Sequence, residues 1–335
     1  MIYSFKTNFI KTLSDTHTPV ELYLKLRDKF TNSFLLESSD YKSRENSFSY
    51  LCFQPIASFV VKKEQTKIHF PDGTSQEKPT SSIDIADELY QFTNTFESED
   101  LKLGFVTNGL FGYTSYDAIP LFEDIQFKNQ SFDLPLIQYH LFRFIIVFNH
   151  FNNELFILEN LLPDEKSNLK EIQDLLVNRS VTTFHFKKSE DEKSNFTDEE
   201  FLKKIAIGQA HCFKGDVFQV VLSRKFKQQF QGDEFNVYRA LRSINPSPYL
   251  FYFDYGNFKI FGSSPEAQLT ISNNKAIINP IAGTFKRTGN FEEDKILAES
   301  LKNDAKENAE HVMLVDLARN DLSKNSTVIK VEKFK

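Results

Sequence analysis

The residues best placed for chemistry lie between Asn279 and Leu322, in the run NPIAGTFKRTGNFEEDKILAESLKNDAKENAEHVMLVDLARNDL. Its beginning reads as a strand entering a tight Gly283-Thr284 turn. A flexible backbone there presents N–H groups, the Thr284 hydroxyl adds a donor, and Lys286 and Arg287 add positive charge, a combination that suits a carboxylate. Its end reads as a helix on which Glu307, Glu310 and His311 stand at i, i+3 and i+4 and so share one face. Hard oxygen donors at this spacing suit Mg²⁺, which keeps several waters and takes one or two carboxylates. A solvated acidic helix face has the same pattern, and spacing leaves both readings open. Upstream, Glu266 follows Ser264-Pro265 at the start of a strand, either as a carboxylate fixed in a site wall or as a solvated strand end.

An α+β frame must position these residues. Thr18-Pro19 with Glu21 predicts a capped helix, since Thr18 can accept a backbone N–H and proline suits the first helical position. Strands are expected at Ser33–Ser38 and at Phe48–Val61, where Pro55 favours an edge or a bulge. Pro71-Asp72-Gly73 reads as a hairpin turn, Ile83–Phe96 as a helix, and LIQYHLFRFIIVFNH with NELFILENLL as a hairpin about Asn152-Asn153. His140 and His150 sit in or beside strands and read as hydrogen-bonded structural groups. A polar, Lys/Glu-rich stretch from about 162 to 194, with a helix near Lys166–Leu176, divides the chain into residues 1–185 and 195–335.

In the second half, Thr197 to Glu200 is a capping box that opens a helix ended by Gly215. DVFQVVLSRKFKQQF (216–230) reads as a strand, and a helix follows from about Glu234 to Ile244. The two prolines of Asn245-Pro246-Ser247-Pro248 exclude helix there. Hairpins are then expected about Gly256-Asn257 and Asn273-Asn274. The alternation of antiparallel strands with helices predicts large, mostly antiparallel sheets flanked by helices.

Composition narrows the function classes. The 335 residues carry a formal net charge of −6 and no basic tail, so nucleic-acid binding has no electrostatic support. The longest apolar runs are far too short to span a bilayer, and MIYSFKTNF lacks the layout of a signal peptide. Cys52 and Cys212 lie far apart in apolar patterns and read as buried thiols in a reducing compartment, which points to the cytoplasm. With 36 Phe and no Trp, phenylalanine fills the aromatic core positions.

Several long motifs occur together in order: DVFQVVLSR (216–224), NPSPYLFYF (245–253), GSSPE (262–266), PIAGT (280–284) and AEHVMLVDLARNDLS (309–323). They closely resemble component I of anthranilate synthase, within the chorismate-utilising enzymes. LLES (35–38) and GLFGYTSYD (109–117) resemble the N-terminal part of the same proteins. The resemblance implies the two-layered architecture of chorismate-binding enzymes. It also implies the conversion of chorismate and ammonia to anthranilate and pyruvate with Mg²⁺, the first step of tryptophan biosynthesis. By motif, Glu310 would ligate Mg²⁺ with Glu307 close by, Gly283 and Thr284 would hold a substrate carboxylate, and Glu266 would protonate the departing ring hydroxyl.

Two positions separate relatives. Isochorismate and salicylate synthases carry a lysine that activates water where this chain has Gln219. Aminodeoxychorismate synthases usually carry a nucleophilic lysine where it has Ala282. With neither lysine present, ammonia itself must attack, so aminodeoxychorismate synthase is the alternative rather than the first reading. Glu37, Ser38, Pro248, Tyr249 and Leu250 map onto the family's tryptophan feedback pocket, with Leu250 where methionine is common. The implied partners are chorismate, tryptophan as inhibitor and a separate glutamine amidotransferase subunit that supplies ammonia. Component I proteins are generally longer than this chain, so the sequence reads as C-terminally truncated, holding part of the active site. Little activity and poor stability are expected of the chain alone, and a non-catalytic tryptophan-binding fragment is a further reading.

Overall fold

Two strands with apolar side chains on both faces anchor the fold: β3 (Phe48–Val61) and β8 (Ile137–Asn149) pair antiparallel along almost their whole lengths. Their residues divide between the two faces, with Leu51, Phe53, Phe144, Ile146 and Phe148 in one core cluster and Cys52, Phe142, Ile145 and Val147 in another. Such strands are stable only when covered on both sides. Around Pro55 the register shifts, and Gln54 adopts φ 59°. Pro55 therefore sits in a β-bulge of a central strand, because the bulge removes the need for the ladder N–H that proline lacks. The computed structural model describes residues 2–38, 47–127, 133–177 and 181–334.

Strands join on either side of this pair. β2 (Phe34–Glu37) lies beside β3, and the β14–β15 hairpin (Tyr249–Asp254, Lys259–Ser264) adds to β2 through Leu250↔Glu37 to Phe253↔Phe34. On the other flank, β9 (Glu154–Leu161) pairs β8, and β1 (Tyr3–Leu13) pairs β9. β1 is an element that the sequence reading did not anticipate, although its Tyr3 and Phe5 are buried at alternate positions. β6 (Phe96–Ser98) adds to β1 as a parallel pair, while β4 (Gln65–His69), β5 (Ser75–Pro79) and β7 (Leu110–Thr114) complete an eleven-stranded sheet among the described residues. The sheet crosses the 185–195 stretch, because strands from both halves of the chain share it.

Helices cover one face. α1 (Pro19–Leu26), with the capping box at Thr18 and Glu21, packs with α3 (Leu169–Val177) and α5 (Phe235–Ile244) on the Leu51/Phe144 cluster. α2 (Ile85–Thr93) buries Ile85 and Phe92 against β1, β3 and β4. Arg27, just after α1, forms a two-armed pair with Asp233, just before α5, at 2.9 and 2.6 Å. Burial alone would raise the Asp233 pKa, but the Arg27 guanidinium overcomes this and holds the carboxyl below its usual range. On the neighbouring turn of α5, the Tyr238 hydroxyl donates to Glu37 at 2.6 Å, and Arg242 meets the other Glu37 oxygen at 3.0 Å. This carboxylate, 5% exposed, ties the end of β2 to α5. Desolvation lifts its pKa in spite of both partners.

The remainder is less tightly packed. Short pairs β10–β13 (Phe186–Lys188, Phe230–Gly232) and β11–β12 (Lys193–Ser194, Phe226–Lys227) flank α4 (Asp198–Lys214), whose Thr197–Glu200 capping box and left-handed Gly215 stop are as expected. The strand expected over 216–230 does not form as such: 217–225 is coil, with Phe218 98% and Val221 86% exposed. Its apolar run fits a strand covered on both faces, and among the described residues no strand lies beside it to supply that cover or its hydrogen bonds. The strand expected to enter Gly283 is also shorter. β16–β17 (Thr270–Ser272, Lys275–Ile277) turns at Asn273-Asn274, both at positive φ, and coil follows to residue 289. α6 (Phe291–Asn303) and α7 (Ala305–Ser323) come last, separated by Asp304. Cys52 is buried as expected, whereas Cys212 is only partly covered.

Two measurements test this packing. His140 sits among Phe34, Phe142 and Tyr255, and burial lowers its pKa from 6.5 to about 4. Because the unfolded chain takes up the proton first, the stability tied to neutral His140 is complete above about pH 6.5. It falls as pH drops toward 4, by roughly 3 kcal/mol in total. Denaturation of His140→Leu should therefore show a flatter pH dependence between 6.5 and 4 than the parent chain. Tyr238→Phe removes a hydrogen bond to a buried carboxylate and should cost about 2 kcal/mol, read as a lower urea midpoint at unchanged slope.

Candidate functional site

Three contacts gather the residues expected to do chemistry. Glu266 follows β15 through Ser264, whose hydroxyl accepts from the Glu266 N–H at 3.3 Å. The Glu266 carboxylate in turn accepts from the backbone N–H of Ile281 at 3.3 Å, so the GSSPE and PIAGT segments are joined directly. Two residues on, Gly283 faces α7: a Cβ placed there would lie 1.6 Å from Glu307 Oε2. The Glu307 carboxylate thus occupies the space that a side chain would need, and any larger residue at 283 would displace it. Finally, Gln219 Nε2 lies 3.5 Å from Glu310 Oε1, which brings the 217–225 coil to the same helix.

Local sequence explains how α7 presents these groups. Asp304 ends α6 in an extended conformation and caps α7, its carboxylate accepting from the Glu307 N–H at 2.9 Å. Three residues later, Glu310 projects from the same side of the helix. His311, which shares their face by spacing, is engaged elsewhere, with its ring on the Phe334 carbonyl and edge-on to the Phe334 ring. Thr284 is exposed in the coil beside Gly283, and Ala282 is partly covered.

The donor set can be weighed for a metal. Among the described residues no group of three or more His, Cys, Asp or Glu side chains is gathered to hold an ion. Glu307 and Glu310 supply two oxygen donors one turn apart. That suits only an ion that completes its shell with water, as Mg²⁺ does.

A second feature opens on the sheet face opposite α1, α3 and α5. It is a cleft of about 1270 Å³ floored by Leu36, Phe48, Tyr50, Phe251 and Phe253, with Tyr113 and Leu136 at its wall. Glu37, Ser38, Pro248, Tyr249 and Leu250 all border it. They do not contribute alike. Leu250 is 2% exposed and belongs to the core under the helices, and the Glu37 carboxylate is spent on Tyr238 and Arg242. The sequence reading missed the aromatic floor. Strand alternation could have found it, since Leu36 and Phe251 point opposite to Glu37 and Leu250. The partners of Glu37 were also missed, although Tyr238 and Arg242 stand at i, i+4 on one helix face.

Comparison with known proteins shows the family. Residues 32–335 match the family described as chorismate binding enzyme. Anthranilate synthase component 1 of Aquifex aeolicus is 31% identical, over 97% of this chain and 69% of its own length. That of Lactococcus lactis subsp. lactis is 33% identical, over 97% and 74%. Among solved structures, anthranilate synthase component I from Streptococcus pneumoniae superposes with a TM-score of 0.67 at 28% identity, covering 96% of this chain and 71% of that one. The menaquinone-specific isochorismate synthase of Escherichia coli shares the fold, with a TM-score of 0.59 at 14% identity. No described helix is long and apolar enough to cross a membrane. With a family match over nearly the whole chain and curated relatives above 30% identity, this chain belongs to the chorismate-binding enzymes.

Proposed function

We propose that this chain is the large subunit of an anthranilate synthase, acting on chorismate with ammonia to give anthranilate, pyruvate and water. The observation that carries this reading is the site in which Glu266, Gly283, Glu307 and Glu310 are joined while glutamine and alanine stand at 219 and 282. Gln219 cannot serve as a general base for water, and Ala282 offers no nucleophile, so the entering group is ammonia. A partner amidotransferase subunit would deliver it in the cytoplasm, from glutamine.

In this reading the chorismate carboxylate lies along the Gly283-Thr284 backbone, where N–H groups and the threonine hydroxyl receive it. Glu266, held by Ile281, gives its proton to the ring hydroxyl as the C–O bond breaks and ammonia bonds to the ring, and water leaves. The ring then loses the proton beside the new amine as the enolpyruvyl C–O bond breaks, the released enolate takes up a proton to become pyruvate, and the ring becomes aromatic. Glu307 and Glu310 would hold Mg²⁺, which supplies positive charge where a substrate carboxylate would otherwise meet the Glu307 carboxylate. Glu307 and Glu310 would keep that charge beside the turn, where Gly283 admits the Glu307 carboxylate.

The aromatic cleft is assigned to tryptophan as feedback inhibitor. Its floor of phenylalanine and tyrosine suits an indole, and the Ser38 and Pro248–Tyr249 backbone at its rim suits the amino-acid end. Aminodeoxychorismate synthase is the second reading, and the alanine at 282 argues against it.

Two experiments decide these points. Calorimetry of chorismate with Mg²⁺ should show metal-dependent binding, weakened at least tenfold in Glu310→Gln, and any product formed with ammonium should be anthranilate. Metal-independent chorismate binding would sink the Glu307/Glu310 assignment, and aminodeoxychorismate as product would select the sibling. Separately, tryptophan at a hundredfold excess over its dissociation constant should stabilise the chain by about 2.7 kcal/mol, seen as a higher Tm. Tyr50→Arg, which places a charge on the cleft floor, should abolish that rise.

A further inference from the structure

We propose that Ser263 is the positioning residue that links the aromatic cleft to Glu266. This rests on reading the cleft as an effector site for an aromatic amino acid. The warrant is geometric. Ser263 Oγ lies 2.6 Å from the Asn245 carbonyl and 2.8 Å from Ser247 Oγ. The Ser263 hydroxyl donates toward both oxygens, the carbonyl being the nearer, and the Ser247 hydroxyl donates in turn to the Tyr249 carbonyl at 3.4 Å. The turn it grips, Asn245-Pro246-Ser247-Pro248, runs directly into the cleft rim at Pro248 and Tyr249. Two prolines stiffen this turn, so it shifts as a unit rather than absorbing a displacement.

A second contact ties the same strand to the cleft. The Phe251 ring on the cleft floor rests on the backbone of Gly262: a Cβ there would come within 2.8 Å of the ring. Gly262 and Ser263 are thus held by the cleft floor and the cleft rim respectively. Onward, the register pairs Tyr249 with Ser264, whose hydroxyl accepts the Glu266 N–H. Glu266 grips Ile281, two residues before Gly283 and the Glu307 carboxylate. From rim to site the connection is continuous and short, and Ser263 is a side-chain link on its rim side. A ligand that seats against Pro248, Tyr249 and Phe251 moves or freezes β15, and with it the direction of the Glu266 carboxyl.

Amide hydrogen exchange on the intact chain tests this, read at the turn (245–250), the Glu266 segment (262–268) and the distant cleft wall (112–115). Without ligand, Ser263→Ala should raise exchange at the turn and at the Glu266 segment together, roughly fivefold to tenfold for the loss of two hydrogen bonds. Ser263→Thr, which keeps the hydroxyl, should restore the parent pattern. With tryptophan, the parent should gain protection at the wall, the turn and the Glu266 segment. In Ser263→Ala the wall should still gain it and the Glu266 segment should not. Protection that reaches Glu266 in Ser263→Ala overturns the proposal, as does a ligand-free effect confined to the turn. A parent chain that shows no tryptophan protection anywhere overturns the effector role of the cleft and the coupling with it, while the ligand-free arm still reports whether Ser263 joins the two segments.

Discussion

The ladder between β3 and β8 is the constraint on which the rest of the structure depends. Both strands are apolar on both faces, so neither is stable until something covers each side. The two sides are met differently. Helices α1, α3 and α5 close one with regular packing; the Arg27–Asp233 pair ties α1 to the start of α5, and the Glu37–Tyr238–Arg242 contacts pin α5 to the end of β2. The other side is covered by the 101–113 segment and by Tyr255 and Phe258 of the hairpin turn, and there the cover leaves a cleft. A ligand site arises where the second layer is made of loop rather than helix.

This asymmetry connects the scaffold to the chemistry. The β14–β15 hairpin is at once the edge of the great sheet, the floor and rim of the cleft, and the arm that ends in Glu266. The candidate catalytic carboxylate is therefore not carried on an independent unit. Its position is set by pairing with β2, whose own end is fixed through Glu37. A buried carboxylate with two partners is a costly way to hold a strand if stability were its only purpose, since an apolar contact of similar size serves as well. Directional hydrogen bonds instead fix one register between β2 and α5.

Burial differs sharply between this sheet and the helices that carry Glu307 and Glu310. No residue of α6 or α7 is buried, and Phe291, Ile296, Val312 and Leu317 are half-exposed or more. The contacts at the candidate site are accordingly single ones: one N–H on Glu266, one amide on Glu310, one close approach at Gly283. The chain spans 69% and 74% of the lengths of the two curated relatives named above.

Much of the architecture was legible in the residues alone, because its signals are local. Capping boxes at Thr18 and Thr197 and the Gly215 stop fixed helix ends, Asn273-Asn274 and Pro71-Asp72-Gly73 fixed turns, and Pro55 left an edge or a bulge, of which the structure shows the bulge. Long motifs pointed to the family and to the site carboxylates. Sequence did not decide where apolar runs would find cover. DVFQVVLSR reads as a strand, yet 217–225 is coil, because a strand exists only through a neighbour's hydrogen bonds and none is beside it among the described residues. Nor could spacing show that Glu37 turns away from the cleft it borders, that Glu307 folds onto Gly283, or that Ser263 grips a turn sixteen residues earlier. Those are contacts between segments far apart in the chain, and only the packed tertiary structure sets them.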